Sequence, residues 1–363
     1  MKVIYLDHCA TTPCHEEVIQ LMSKYHSLEF GNPSSQHILG KRALHAINQA
    51  TKQVAELIHA EPEEIIFTSG ATESNNLFLL GLYEWLKETS GNIILSPIDH
   101  KSTLEVGNEL ARRGIEVRYA KVNHQGRIHI PDLERMIDHN TKLISCAHIN
   151  SELGVIQDIE ALSILCSNRG ILLHVDAVQS IGKIDINCRA MNIASLSLSG
   201  HKIYGPKGIG ALYVNKKIRH IVRPLTFGGG QNSLRSGTLP TAQIVGLGHA
   251  CYLAQENINE HYAKVQELRD LFLQEMRMKV PAIQVNNDPA VSVPHILNLR
   301  INGVSSEALV SGLGRLAIAS GSACNSASLE PSYVLTTIGL TGEEANHSIR
   351  ICFSHIKKRV TSS

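Results

Sequence analysis

Apolar residues are distributed along the chain in two textures. Between residues 37 and 214, short apolar runs without clean alternation take turns with segments of helical period. The runs at 65–67, 92–95, 117–119, 143–148, 171–175, 195–198 and 210–214 predict strands. Helices are predicted over about 37–58, where Leu39, Ala43, Ile47, Val54 and Ile58 share a side, and over 75–85, 104–112, 131–137 and 159–169. A strand that is apolar throughout needs cover on both faces, so this alternation predicts a mostly parallel α/β sheet with helices on either side. Past residue 250 the texture changes. A long charged helix over 256–278 leads into strands at 296–300, 317–320 and 348–353 and a helix at 305–313, which predicts a small α+β domain. The expected division is a large domain, 15–250, and a small domain formed by 1–14 and 251–363, with an opening strand at 4–6.

Composition narrows the function. Hydrophobic residues at 43% and charged residues at 18% give ample material for a core. Lys plus Arg (34) balance Asp plus Glu (33), and aromatics are 4%, so neither a backbone-binding stripe nor a base-stacking platform is visible. Direct nucleic-acid binding is not expected. No apolar run nears the roughly 20 residues that span a bilayer. The start, MKVIYLDHCATTP, lacks a signal-peptide pattern, and the expected location is the cytoplasm, away from membranes. Eight scattered cysteines without a CxxC pair give no sequence support for a metal site.

Candidate chemistry sits at the predicted strand ends, where open α/β sheets bind ligands. Lys202, in Ser199-Gly200-His201-Lys202, could present a single amine into a cleft, as a Schiff-base lysine does for pyridoxal phosphate. Asp176 could pair with a pyridine nitrogen, and Gln179 could donate to a ring oxygen. Ser69-Gly70-Ala71-Thr72 precedes a helix whose free N–H groups could hold a phosphate. His100 could stack on a ring. Cys324 lies among small residues and is a candidate nucleophile; Arg350 could bind a carboxylate. Each has an ordinary alternative: a surface lysine, a helix cap, a loop histidine, an inert thiol, a surface ion pair.

Taken together the segments YLDHCATTP, FGNPSS, IIFTSGATESNN, HVDAVQSIGK, LSGHKIYGPKGIGALYV, LRSGTLP, SGSACNSASLEPSYVL and HSIR closely resemble the NifS/IscS-like cysteine desulfurases, class-V aminotransferase relatives among fold-type I pyridoxal-phosphate enzymes. The resemblance runs from residue 5 to residue 350. It implies a seven-stranded, mostly parallel sheet, pyridoxal 5'-phosphate as cofactor and L-cysteine as substrate. It also implies that Lys202 carries the cofactor, Asp176 pairs with its ring nitrogen and Gln179 contacts its phenolic oxygen. His100 would stack on the ring and move protons. Ala71, Thr72, Ser199 and His201 would hold the phosphate, with Thr238 reaching it from the other subunit of a homodimer. Arg350 would take the substrate carboxylate, and Cys324 the sulfur as a persulfide, on a loop of the long, mobile type. A persulfide-accepting protein is implied, either an iron–sulfur scaffold or a nucleic-acid thiolation enzyme.

Three departures stand out. Ser151 replaces the second asparagine of the family's HVNNEIG stretch, beside cofactor and substrate, which predicts weaker substrate orientation. His8, next to Cys9, stands where the family's YLDxxAT start usually has tyrosine or asparagine. Only 13 residues follow Arg350, which weakens the expectation of scaffold docking. The alternatives are a selenocysteine lyase or another pyridoxal-phosphate enzyme, or a non-catalytic desulfurase-like interaction protein.

Overall fold

The computed structural model describes residues 2–229, 233–320, 330–356 and 359–361. Its strands in chain order are β1 (Lys2–Tyr5), β2 (Ile65–Thr68), β3 (Asn92–Leu95), β4 (Val117–Tyr119), β5 (Thr141–Ala147), β6 (Leu172–Asp176), β7 (Ser195–Ser199) and β8 (Gly210–Val214). They continue with β9 (Ile283–Val285), β10 (Ile296–Ile301), β11 (Leu316–Ala317), β12 (Ala319–Ser320), β13 (Ser348–Cys352) and β14 (Arg359–Thr361).

The main sheet has seven strands in the order β2-β8-β7-β6-β5-β3-β4. Only β8 runs against the other six. The sheet is therefore the expected mostly parallel one, and β2, β3, β5, β6, β7 and β8 are buried at nearly every position. That burial accounts for the missing alternation, since side chains on both faces meet helices. A second sheet, β12-β13-β10-β9, and a third, β11-β1-β14, make up the α+β part. In the third, β1 is the middle strand, parallel to β11 and antiparallel to β14, so the chain's first strand is held by its last segments.

The helices that position the site are α1 (Glu16–Ser27), α2 (Ile38–Leu57), α3 (Ala71–Gly81), α4 (Tyr83–Glu88) and α5 (Lys101–Arg112). Then come α6 (Ile130–Met136), α7 (Ile159–Arg169), α8 (Thr241–Glu256) and α9 (Ile258–Lys279). Sequence periodicity missed α1 and α8. Helix α8 has nine buried residues out of 16 and so carries no amphipathic stripe to read. Its two inner glycines look like helix breakers in isolation, yet they are where helices meet. A Cβ at Gly248 would lie 2.6 Å from the Cα of Ala50 on α2, and one at Gly246 2.7 Å from Met22 Sδ on α1. Close packing outweighs the local propensity of glycine here.

Two predicted helices began late. Helix α3 starts at Ala71, directly after Gly70, and α5 starts at Lys101 with His100 as its N-cap. The polar residues read as loops are the first turns of helices. The predicted strand 317–320 divides into β11 and β12, which belong to different sheets. Among the described residues no helix is long and apolar enough to cross a membrane.

Candidate active site

The carboxyl ends of the parallel strands line a cavity of about 570 Å³. Thr68 of β2 leads to Ser69-Gly70-Ala71-Thr72, Leu95 of β3 to His100, and Ala147 of β5 to Asn150 and Ser151. Asp176 ends β6, Gln179 follows it, and Ser199 ends β7 ahead of His201 and Lys202. All the named lining residues face this one space, together with Arg350 from the small sheet.

At one end of the cavity is the start of α3. Gly70 has φ 154° and ψ 178°, a conformation open essentially to glycine alone, and it offers no side-chain cap to the first turn. Gly210, the first residue of β8, is equally constrained. A Cβ there would lie 2.8 Å from the Cα of Gly70 and 2.5 Å from the Leu198 carbonyl. Together the two glycines bring the α3 N-terminus against the end of β7, and the side chains of Thr72, Ser199 and His201 surround it. Burial, then Lys202 and Lys207, lower the His201 imidazole to about 4, leaving it neutral at pH 7. Its Nδ1 is 3.1 Å from Thr11 Oγ1. Helix-start N–H groups with hydroxyls around them form an anion seat.

Mid-cavity lies a polar network that the sequence did not reveal. The Asn75 amide donates one hydrogen bond to Asp176 Oδ2 (2.9 Å) and one to Ser102 Oγ (2.9 Å). Asp176 Oδ1 accepts from the Val178 backbone N–H (3.0 Å). His100 Nδ1 accepts from the Ser102 backbone N–H (3.1 Å) and lies 2.8 Å from its hydroxyl. With Nδ1 accepting, the neutral ring carries its proton on Nε2. Asn75 Oδ1 accepts from His174 Nε2 (3.1 Å). Asn75 thus ties the Asp176 carboxylate to the His100 ring through Ser102. In the sequence Asn75 is one of five consecutive polar residues, Thr72 to Asn76, and nothing sets it apart from the others.

Burial holds His174 at about 3 and His148 at about 4. Both folded-state values lie below the usual 6.5, so the folded protein excludes protons that the unfolded chain accepts. Stability is fully present above about pH 6.5 and is lost as the pH falls toward about 4. Each of these two histidines contributes a slope of about 1.4 kcal/mol per pH unit in that window. Urea midpoints should drop steadily from pH 7 to pH 4.5, and a level profile would overturn this account.

Lys202 follows β7 on a short 3₁₀ turn, Gly200–Lys202. Its Nζ donates to the carbonyls of Cys9 and, at 2.8 Å, Ala10. Gln179 Nε2 donates to the same Cys9 carbonyl (3.0 Å), and its Oε1 accepts from Lys183 Nζ (3.2 Å). One of the two amide hydrogens expected to serve a cofactor oxygen is therefore engaged with the backbone. The segment from Tyr5 to Thr12 acts as a strap over the lysine. It is fixed by Thr12 Oγ1 donating to the His201 carbonyl (2.9 Å) and by the Tyr5 hydroxyl donating to Asp7 O and Thr11 O.

Arg350 sits in the middle of β13, opposite Asn298 of β10 and Ala319 of β12. Ile349 and Ile351 turn into the small domain's core, so strand alternation aims Arg350 toward the cavity. Its Nη2 donates to Asp7 Oδ1 (2.8 Å) and Nη1 to the Ser151 carbonyl (2.9 Å), while the buried Nε has no partner. Burial opposes its charge, but Cys352, Cys9 and Asp7 raise its pKa further above the usual arginine value. Ser151, the departure noted in the sequence, thus contributes a main-chain acceptor whatever its side chain.

Thr238 is exposed and does not line this cavity. Cys324 lies outside the described residues. Both flanks of its segment are nonetheless fixed at the cavity rim. Ala319 pairs with Arg350, Ser332 Oγ donates to Glu152 Oε2 (2.8 Å), and the Tyr333 hydroxyl donates to Asp99 O (2.6 Å).

Residues 4–359 match the family model for class-V aminotransferases. The chain belongs to that family, in its NifS/IscS-like cysteine desulfurase branch. It is 46% identical over 351 residues to cysteine desulfurase IscS of Buchnera aphidicola subsp. Baizongia pistaciae, covering 96% of this chain and 87% of that one. The same enzyme from Neisseria meningitidis serogroup C is 44% identical over 355 residues, covering 97% and 88%. Among solved structures, a NifS-like protein superposes with a TM-score of 0.90 at 32% identity, covering 98% of this chain and 94% of that one. SspA in complex with cysteine superposes at 0.84 with 38% identity, covering 96% and 98%.

The family's cofactor is pyridoxal 5'-phosphate, and the cavity fits it. The anion seat at α3 takes a phosphate, the buried Asp176 suits a ring nitrogen, and the Lys202 amine lies beyond. When bound, the cofactor supplies an electron sink for the carbanion formed at the substrate's Cα. The protein is a pyridoxal-phosphate-dependent cysteine desulfurase, which transfers sulfur from cysteine by persulfide chemistry.

Proposed function

We propose that this desulfurase holds L-cysteine by its carboxylate at Arg350, removes the sulfur onto Cys324 and passes it to a thiol of a second protein. The observation that carries this reading is the meeting of Lys202, Asp176, His100 and Arg350 in one cavity, with the flanks of the Cys324 segment fixed at its rim. Ala71, Thr72, Ser199 and His201 hold the cofactor phosphate, and Gln179 and Ser151 line the ring. The Lys202 amine, once released from the cofactor, takes the Cα proton, and His100 Nε2 exchanges a proton with the reacting groups on the open side. The Cys324 thiolate attacks the substrate sulfur. The C–S bond breaks, L-alanine leaves, and the sulfur stays on Cys324 as a persulfide.

The acceptor is a persulfide-accepting protein, either a scaffold for iron–sulfur clusters or an enzyme of nucleic-acid thiolation. The working form is a homodimer in which the partner's Thr238 completes the phosphate seat, which gives a role to an exposed threonine that does not line its own cavity. Residues 15–250 form the large domain, and 1–14 with 251–363 the small one. The β1 strand between β11 and β14 supports that division.

The test is direct. The holoprotein, given L-cysteine and then mapped by peptide mass spectrometry without reductant, should form alanine and carry one extra sulfur on the Cys324 peptide. Alanine formed with the sulfur on a different cysteine would overturn the assignment of Cys324. Absence of alanine would overturn the whole reading.

A further inference from the structure

Two cysteines that the sulfur-transfer reading leaves unused meet behind the active site. Cys9 belongs to the strap over Lys202, and Cys352 ends β13. The Cys352 backbone N–H donates to Leu6 O at 2.7 Å, and Asp7 and Cys352 form a bridge pair, which brings Cys9 alongside. The two thiols lie in one small apolar cluster with Ile149, Val293 and Ile296. Both are reduced and buried, yet Cys9 lines the active-site cavity and also a second cavity of about 250 Å³ on the far side of Lys202. A small solute can approach it from two sides.

The setting is polarised. Burial raises the Cys9 thiol, but the Cys352 hydrogen bond and the charges of Arg350, Lys183 and Lys202 outweigh it and leave Cys9 below the ordinary thiol value. Burial, with Cys9 as neighbour, pushes Cys352 up, so of the two Cys9 is the more readily ionised. Cys146, Cys166, Cys188 and Cys251 are all pushed up by burial and are correspondingly inert.

We propose that Cys9 and Cys352 are a peroxide-reactive dithiol that closes reversibly to a disulfide and slows cysteine turnover. The oxidant is a hydroperoxide, hydrogen peroxide being the simplest. The Cys9 thiolate attacks one peroxide oxygen; an S–O bond forms, the O–O bond breaks and hydroxide leaves as water. The Cys352 sulfur then attacks the Cys9 sulfenic acid; the S–S bond forms, the S–O bond breaks, and the Cys352 proton departs with the hydroxyl as a second water. Two thiols are oxidised by two electrons in all, and the peroxide is reduced to water. Closing draws the two sulfurs from neighbouring places in one cluster to about 2.05 Å. That contraction moves the Cys9 segment, whose carbonyl holds Lys202 and Gln179, against the strand two residues past Arg350.

The test uses the holoprotein carrying Cys324→Ala, so that oxidation of the sulfur-bearing cysteine does not enter. Limited hydrogen peroxide should yield a Cys9–Cys352 linked peptide on non-reducing mass mapping, with a shift of the cofactor absorbance band. Dithiothreitol should reverse both. Adding Cys352→Ser should abolish the link and leave Cys9 as a sulfenic acid that dimedone labels, which also covers the case in which Cys9→Ser does not fold. A Cys9 thiol that stays free and unlabelled in both proteins, or a disulfide joining either residue to another cysteine, would overturn the proposal. So would the same absorbance shift in the Cys352→Ser protein. The outcome is independent of alanine formation, so it stands or falls apart from the sulfur-transfer reading.

Discussion

Replacing Lys202 by alanine should lower alanine formation from L-cysteine by about ten-thousandfold. The residue does two things that nothing else in the cavity does. It is the lysine amine at the carboxyl edge of β7 within the site, and on the proposed reading it is the base that takes the Cα proton. Removing a positioned base alone costs up to about 10⁴-fold. The neighbouring Lys207 also lines the cavity, but it stands beyond the 3₁₀ turn that aims Lys202 at the Cys9 and Ala10 carbonyls. The protein should still fold, because a carbonyl pair loses one donor and no core is opened. It should retain pyridoxal phosphate non-covalently through the anion seat at α3. Steady-state assays with near-native circular dichroism check the first point; cofactor that stays with the native protein on gel filtration but is released on denaturation after borohydride treatment checks the second. Lys202→Ala protein that retained a tenth of the activity would remove Lys202 from the mechanism.

Arg350→Ala should reduce kcat/KM by about a hundredfold, mainly through KM, and should also destabilise the protein. Truncating one partner of a desolvated charge pair costs about 2–5 kcal/mol. The structural cost comes from Asp7, whose carboxylate loses the guanidinium at 2.8 Å, and from the Ser151 carbonyl, which loses its donor. The kinetic cost comes from the missing partner for the substrate carboxylate. Arg350→Lys keeps the charge but not the forked geometry, so it should recover stability more than KM. Equal recovery of both, by thermal melts and steady-state kinetics, would contradict a bidentate role.

Most of the strands were legible because burial on both faces left apolar runs, and all seven lie in the main sheet, although β7 alternates Ser and Leu and β4 is only partly buried. The site residues were legible because the strand ends carry them: Asp176, Lys202 and His100 line a single cavity. What escaped was whatever depends on a partner distant in sequence. Helix α8 shows no polar face because α1 and α2 cover it. Asn75, buried and bonded to Asp176 101 residues away, resembles any polar helix residue until the sheet brings the two together. The clasp of Arg350 by Asp7 spans 343 positions, and no local pattern announces it.

The placement of β1 between β11 and β14 has a consequence for how the enzyme is made. The main sheet draws its strands from residues 65–214 and can assemble while the rest of the chain is still on the ribosome. Strand β1, though synthesised before the main sheet's strands, has no sheet partner until residues 316–317 and then 359–361 emerge. Residues 6–12 follow that strand and carry the carbonyls that hold Lys202. The surroundings of Lys202 are therefore completed after the sheet that presents it, once residues 316–317 and 359–361 have joined the first strand.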